Sequence, residues 1–234
     1  MSLPETPVPQ EASTPRVRTY HARRGRLSSA HHEALRTLAD RWSLEAAGPP
    51  LDTSDVFGRR GDVVLDIGCG MGDSTRAQAA ADPMTDVIAL DVHTRGVATL
   101  LRGIERDDLT NVRVVLGDAV TFIDERLDPA SLAGARIYFP DPWPKVRHHK
   151  RRLVQPEFVR LLAGRLARGG FVHCATDDDG YAEQMVEVFN AEPSLELHQR
   201  LPVAVQRPVT KYERRARRLG HPVRDIWVTR TLSS

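Results

Sequence analysis

The sequence predicts an α/β fold, a doubly wound, mostly parallel seven-stranded sheet with an antiparallel C-terminal strand. Two observations carry this. From Gly61 onward, short runs rich in valine, isoleucine and leucine alternate with stretches of helical apolar spacing, the pattern of strand–helix units that cover both faces of a parallel sheet. In the final third, the runs at 195–201 and 226–229 read as antiparallel strands.

Residues 1–15 (MSLPETPVPQEASTP) are rich in proline, threonine and glutamate without periodicity and read as a disordered tail. Arg16, Arg18, Arg23, Arg24 and Arg26, interleaved with Tyr20 and His21, form a basic arm, either RNA-contacting or merely solvated. Ser28 or Ser29 caps a helix with Leu35, Leu38, Ala39 and Trp42 at helical spacing, and Gly48-Pro49-Pro50 ends it. Arm and helix make a segment 16–60; residues 61–234 read as one domain. Its first strand, 63–67, runs into the glycine turn 68–72, after which Asp73 or Ser74 caps a helix to about Ala81. Strand 87–90 ends in Asp91 and precedes a helix over 95–106. Strand 112–116 ends at Gly117-Asp118, before a short helix over 119–126. Strand 135–139 stops at Pro140. Pro156 suits the first position of a helix through Phe158, Leu161, Leu162 and Leu166, closed by Gly169-Gly170. Strand 171–175 and a helix over 179–190 follow.

A chain of 234 residues, 41% hydrophobic and 27% charged, is an ordinary globule with room for a large core. The net charge of +2 is nearly balanced, so affinity for nucleic acid must come from local clustering. Of the 33 basic residues only Lys145, Lys150 and Lys211 are lysines, and all three fall in the two strongest basic motifs. Either a compact ammonium is kept where the guanidinium fork does not fit, or the placement is chance. Cys69 and Cys174 are too few for a zinc site or a disulfide framework. No apolar run reaches the length of a membrane span or signal-peptide core, and the expectation is a reduced, cytoplasmic protein with no metal and no membrane partner.

In a parallel sheet, ligands bind outside the carboxyl ends of the strands. Asp66 and the glycines follow the first strand, Asp91 ends the second, Asp118 ends the third, and Asp141 follows the fourth. The turn lacks the glycine that the dinucleotide fingerprint requires, having Asp73 there. Gly68, Gly70 and Gly72 with Asp66 before them resemble the first motif of class I S-adenosylmethionine-dependent methyltransferases, a Rossmann-like fold. A carboxylate at the turn suits a cationic amino-acid sulfonium, and Asp91 suits ribose hydroxyls. The resemblance makes Asp118 the adenine neighbour. Local turn-making or helix capping is the plain alternative for Asp66 and Asp118.

The loop at 139–152, FPDPWPKVRHHKRR, is the most distinctive stretch. Pro140, Pro142 and Pro144 fix φ and remove backbone donors. What they present is a carboxylate (Asp141), an aromatic face (Trp143) and a dense cationic run. Trp143 either stacks on a base or plugs the loop from beneath. This string, with Ala175-Thr176-Asp177, Thr210-Lys211-Tyr212-Glu213 with Arg215 two positions on, and Arg24, Gly25 and Arg26, closely resembles bacterial tRNA (guanine-N7)-methyltransferases from about Arg16 onward. The resemblance implies methyl transfer from S-adenosyl-L-methionine to N7 of the variable-loop guanine of tRNA. It places Asp66, Gly68, Gly70, Gly72, Asp91, Asp118 and Asp141 around the cofactor, with Asp141 also catalytic. Lys145, Asp177, Thr210, Lys211, Tyr212 and Glu213 would meet the substrate, and Arg147, His148, His149, Lys150, Arg151 and Arg152 the RNA. Asp66 and Asp91 stand where many members have glutamate, and Arg95 where proline is frequent. Asp177 is expected to function and Asp179 to cap a helix. Arg207, Lys211, Arg214, Arg215, Arg217 and Arg218 read as a second basic patch, and His173 as a satisfied core histidine. Competing readings are a non-catalytic RNA-binding subunit that keeps the fold, and a metal-dependent nuclease or phosphotransferase using Asp141, Asp177 and Asp178.

Overall fold

Branched residues at 63–67, 86–91 and 112–116 alternate with helical segments, and a computed structural model resolves these runs into adjacent parallel strands. It describes residues 19–20, 26–202, 207–209, 213–214, 218, 220 and 222–232. The expected tail, most of the arm, and Thr210, Lys211 and Tyr212 lie outside the described residues.

The strands are β1 (Ser43–Leu44), β2 (Val63–Ile67), β3 (Asp86–Asp91), β4 (Val112–Leu116), β5 (Leu132–Tyr138), β6 (Leu166–Thr176), β7 (Leu195–His198) and β8 (Arg224–Arg230). They form one sheet in the order β1-β4-β3-β2-β5-β6-β8-β7. All neighbours are parallel except β6–β8 and β7–β8. The order reverses between β2 and β5, so the carboxyl ends of those two strands flank the crevice where such sheets bind ligands.

Strand β1 adds an eighth member to the expected seven. Ser43 and Leu44 pair with Val114 and Val115, so part of the segment preceding Gly61 completes the sheet edge. The first helix breaks at Leu38 into α1 (Ser29–Thr37) and α2 (Ala39–Trp42), with Ser28 as the cap of α1. Next come α3 (Thr53–Phe57), α4 (Asp73–Ala81), α5 (Thr94–Arg106), α6 (Ala119–Arg126), α7 (Pro156–Arg165) and α8 (Asp179–Asn190). Helix α7 ends at Arg165, before the expected Gly169-Gly170, because β6 already starts at Leu166.

One face of the sheet buries Leu65, Ile67, Ala135, Ile137, Val172 and Cys174 against Phe122, Phe158, Leu162, Met185 and Phe189 from α6, α7 and α8. The other face buries Val87, Ala89, Val112 and Val114 against Ala79 of α4, Leu100 and Ile104 of α5 and Trp42 of α2. Each fully buried large side chain contributes roughly 1.5–3 kcal/mol, which makes the sheet a rigid base for the loops at its tips. Among the described residues, no helix is long and apolar enough to cross a membrane.

Candidate active site

The turn after β2 is built for close approach. Gly68, Gly70 and Gly72 take φ values of 75°, 61° and 77°, the left-handed region that glycine enters without penalty. A Cβ on Gly68 or Gly70 would meet nothing within 4 Å, so space above the turn is open, whereas one on Gly72 would come 2.3 Å from Leu100 Cδ1. Gly72 caps α4 with no side-chain acceptor, and neither Asp73 nor Ser74 takes the expected capping role. Asp73 instead pairs with Arg76 at 3.2 Å, and Ser74 Oγ is buried without a hydrogen-bond partner. Orphan amide donors and an orphan hydroxyl at one helix start form a ready anion seat.

Beneath the turn, Asp66 is 3% exposed and accepts a hydrogen bond from Thr75 Oγ1 at 2.6 Å. Burial raises its carboxyl above the ordinary range; the Thr75 bond and the nearby Arg136 guanidinium offset part of that. The half-buried Cys69 thiol is pushed up by burial and by Asp91 and Asp66.

Asp91 reaches the same turn. Its Oδ2 accepts from Gly70 N–H at 2.7 Å, and its Oδ1 takes His93 N–H at 2.7 Å and lies 2.8 Å from His93 Nδ1. This carboxylate braces the glycine turn, and a ribose would share oxygens already engaged. Asp118 sits at the tip of β4 as the cap of α6, with Oδ1 accepting from Val120 N and Thr121 N at 3.1 Å each. The capping reading of Asp118 therefore holds, alongside any cofactor role.

Asp141 follows β5 in a loop held in an unusual backbone. Phe139 and Trp143, on either side of it, have φ of 51° and 46°, a region bulky residues rarely adopt and that costs of order 1–3 kcal/mol each. The loop is anchored by Phe139 N–H to Ala175 O at 2.7 Å and by Trp143, only 4% exposed, whose Nε1–H donates to Thr19 O at 3.1 Å. Of its two readings, the geometry selects the plug. The Trp143 ring meets His148 edge-on at 5.8 Å and the Arg151 guanidinium at 5.0 Å, leaving little ring free for a base.

The cationic run forms a 3-10 turn, Val146–Arg151. Lys145, Arg147 and Lys150 are exposed, and His148, His149 and Arg151 are half-buried. Arg152 is a correction to the expected RNA-facing set. It is 2% exposed, and its guanidinium bonds the Pro142 and Gly180 carbonyls and Gln184 Oε1 over Tyr181. A buried arginine with these partners is a clamp between the loop and α8.

Asp177 is exposed just past β6. The cap of α8 is Asp178, accepting from Tyr181 N–H at 2.7 Å, and not Asp179 as expected. Glu213 is 4% exposed and paired with Arg207. His173 is the satisfied core histidine expected, 0% exposed with Tyr138 Oη and Asp225 Oδ1 each 2.9 Å from its ring nitrogens.

Because β2 to β6 run parallel, the glycine turn, Asp91, Asp118, Asp141 and Asp177 all emerge at one edge of the sheet. A shallow hollow of about 380 Å³ lies at the opposite edge, between Gly61, Ser131, Arg168 and Gly170, and no candidate residue lines it. No group of three or more metal-binding side chains occurs among the described residues. The orphan Ser74 hydroxyl and the Arg152 clamp were missed by the sequence reading, since nothing in their local spacing marks burial.

This strand order with a glycine turn and acids at the tips defines a class I, Rossmann-like methyltransferase. The fold is shared by the 16S rRNA methyltransferase KamB (TM-score 0.56, 19% identity, 79% of this chain and 95% of that one). It is shared too by the aminoglycoside resistance methyltransferase NpmB1 (TM-score 0.52, 15% identity, 77% and 92%). The family described as "Putative methyltransferase" matches residues 60–226. A tRNA (guanine-N(7)-)-methyltransferase of Streptomyces avermitilis is 47% identical over 215 residues, covering 90% of this chain and 74% of that protein. One from Bordetella pertussis is 45% identical over 225 residues, covering 95% and 89%. The chain belongs to the tRNA (guanine-N(7)-)-methyltransferase family.

Proposed function

We propose that this chain transfers the methyl group of S-adenosyl-L-methionine to N7 of the variable-loop guanine in tRNA, as a cytoplasmic step of tRNA modification. The observation that carries the cofactor is the turn after β2: open space over Gly68 and Gly70, an α4 start without a side-chain cap, the partnerless Ser74 Oγ, and the buried acid Asp66. A ligand with a carboxylate for the helix start and a cation for Asp66 fits this set.

When bound, the cofactor supplies an electrophilic methyl group on a sulfonium. Guanine N7 has a lone pair and no proton to lose, so the chain needs no strong base and acts chiefly by placement. Asp141, in the loop that follows β5, favours positive charge developing on the purine. Lys145, Asp177 and the 210–213 stretch meet the target nucleotide, with a carboxylate accepting from guanine N1–H and the 2-amino group. Arg147, His148, His149, Lys150 and Arg151 seat the phosphates.

Purified protein, methyl-labelled cofactor and a tRNA transcript test the proposal, with mass spectrometry of the digested product. The expected outcome is a single 7-methylguanosine in the variable loop, absent when that guanine is replaced by adenine. Tight tRNA binding with no transfer would replace the enzyme reading with that of a non-catalytic RNA-binding subunit.

A further inference from the structure

Arg207 belongs by sequence to the second basic patch, yet its side chain is 6% exposed. Its fork is fully engaged with acids. Nε and Nη2 donate to the two Asp225 oxygens at 2.7 and 3.1 Å, and Nη1 donates to Glu213 Oε2. The guanidinium also lies 5.4 Å from the centre of the Phe139 ring and 5.8 Å from that of Tyr138.

Asp225 in turn lies 2.9 Å from His173 Nε2, and His173 Nδ1 lies 2.9 Å from Tyr138 Oη. Burial alone would raise the Asp225 carboxyl; the bonds from His173 and Arg207 outweigh it and hold it below the ordinary range. His173 thus links Asp225 to the Tyr138 hydroxyl through its two ring nitrogens. One buried cation therefore joins β8, the end of β5 where the Asp141 loop begins, and the carboxylate of Glu213.

A guanidinium so far from water is stable only when its charge and donors are matched, and the bidentate grip on Asp225 is one that lysine cannot reproduce. The two candidate acceptors for the guanine edge are not equivalent. Asp177 is exposed, and a solvated carboxylate discriminates weakly; Glu213 is buried and takes a hydrogen bond from Arg207 Nη1. A buried acceptor rejects a base lacking the matching donor far more strongly, because the unmatched group has no water to turn to.

We infer that Arg207 is the positioning residue that aims Glu213 at the N1–H and 2-amino edge of the target guanine, in register with the Asp141 loop. The inference rests on the guanine-N7 reading and on Glu213 as a target contact.

The test uses two transcripts, carrying guanine or inosine (which lacks the 2-amino group) at the target, and reads the ratio of their kcat/KM values. Wild-type protein is expected to favour guanine. Arg207→Gln is expected to lower kcat/KM on guanine at least tenfold and inosine much less, with cofactor and tRNA Kd within about threefold. Glu213→Gln should do the same, and the double variant should be no worse than either single one. Equal losses on both transcripts, or multiplying losses in the double variant, overturn the inference. An unchanged ratio in Glu213→Gln overturns Glu213 as the target contact, and this inference with it; an unchanged ratio in Arg207→Gln alone overturns only the role of Arg207. If Arg207→Gln does not fold, Arg207→Lys, which keeps the charge without the fork, decides on the same ratio. A smaller drop supports the inference, and no drop overturns it.

Discussion

Arg152 donates its Nε–H to the carbonyl oxygen of Pro142 at 2.8 Å, so the last residue of the basic run holds the loop that carries Asp141. The contact closes the loop on itself and, through Gly180 and Gln184, fastens it to α8. It also divides the run physically: exposed charges upstream are available to phosphate, and this one is spent inside.

The division gives opposite expectations for two sets of variants. Arg152→Met should destabilise the protein by about 3 kcal/mol, the usual cost of breaking a buried charge's partners, while the salt dependence of tRNA binding stays as it was. Arg147→Gln with Lys150→Gln should leave stability within about 0.5 kcal/mol but lower the slope of log Kd against log salt by roughly 1.4–1.8, two phosphate contacts' worth. Urea unfolding and a salt titration of tRNA binding check both. A slope that falls with Arg152→Met would return that residue to the RNA face.

Trp143 serves the loop from beneath, and its substitutions separate that role from base stacking. Trp143→Ala should cost about 3–5 kcal/mol, since it empties a buried aromatic site. Trp143→Phe keeps most of the plug and loses the indole bond to Thr19 O, about 1 kcal/mol. Denaturant midpoints measure both. If Trp143→Ala left stability intact and only weakened tRNA binding, the plug assignment would fail.

The legible part of this molecule was what periodicity and strand-end placement determine. Alternating strands and helices gave the sheet, and acids at successive strand ends fell on one edge because the strands are parallel. Three features escaped for one reason, that partners distant in sequence decide them. Arg152 closes a basic run and Arg207 belongs by sequence to a basic patch, both of which look solvated, and only contacts with Pro142 and Gln184, or with Asp225, draw them inside. Ser43–Leu44 is too short to show an alternation, and its strand character comes from Val114 and Val115. Choosing among Asp177, Asp178 and Asp179 for the α8 cap required knowing where that helix starts, which like-charged neighbours do not reveal.

Asp141 is expected to act on turnover and hardly on binding. Asp141→Asn keeps the size and the hydrogen-bonding oxygen but removes the charge that favours a cationic purine, so kcat should fall by about 10²–10³-fold. tRNA Kd should stay within about threefold, because the phosphate contacts lie elsewhere in the run. Single-turnover transfer with saturating protein reads the first quantity and filter binding the second. Loss of binding with undiminished single-turnover rate would make Asp141 a docking residue instead.

Asp66 sets stability against ligand binding, and the sign can be worked out. Its folded pKa is raised above the unfolded value of 3.8 by burial. Its contribution to stability is therefore fully present below the unfolded pKa and is lost as pH rises through the folded pKa, so near neutrality the ionised group is a burden on the ligand-free protein. Asp66→Asn removes that burden while leaving an oxygen for the Thr75 hydroxyl. The difference in unfolding free energy, wild type minus variant, should become more negative between about pH 4 and pH 7 in the absence of cofactor. Cofactor affinity should move the other way, weakening at least tenfold, ~1.4 kcal/mol, as the cationic ligand loses its buried counter-charge. Urea midpoints across the pH range and calorimetric titration with S-adenosyl-L-methionine measure the two halves. A variant less stable than wild type at neutral pH, or one that binds the cofactor as well, would show that Asp66 is held for the fold and not for the ligand.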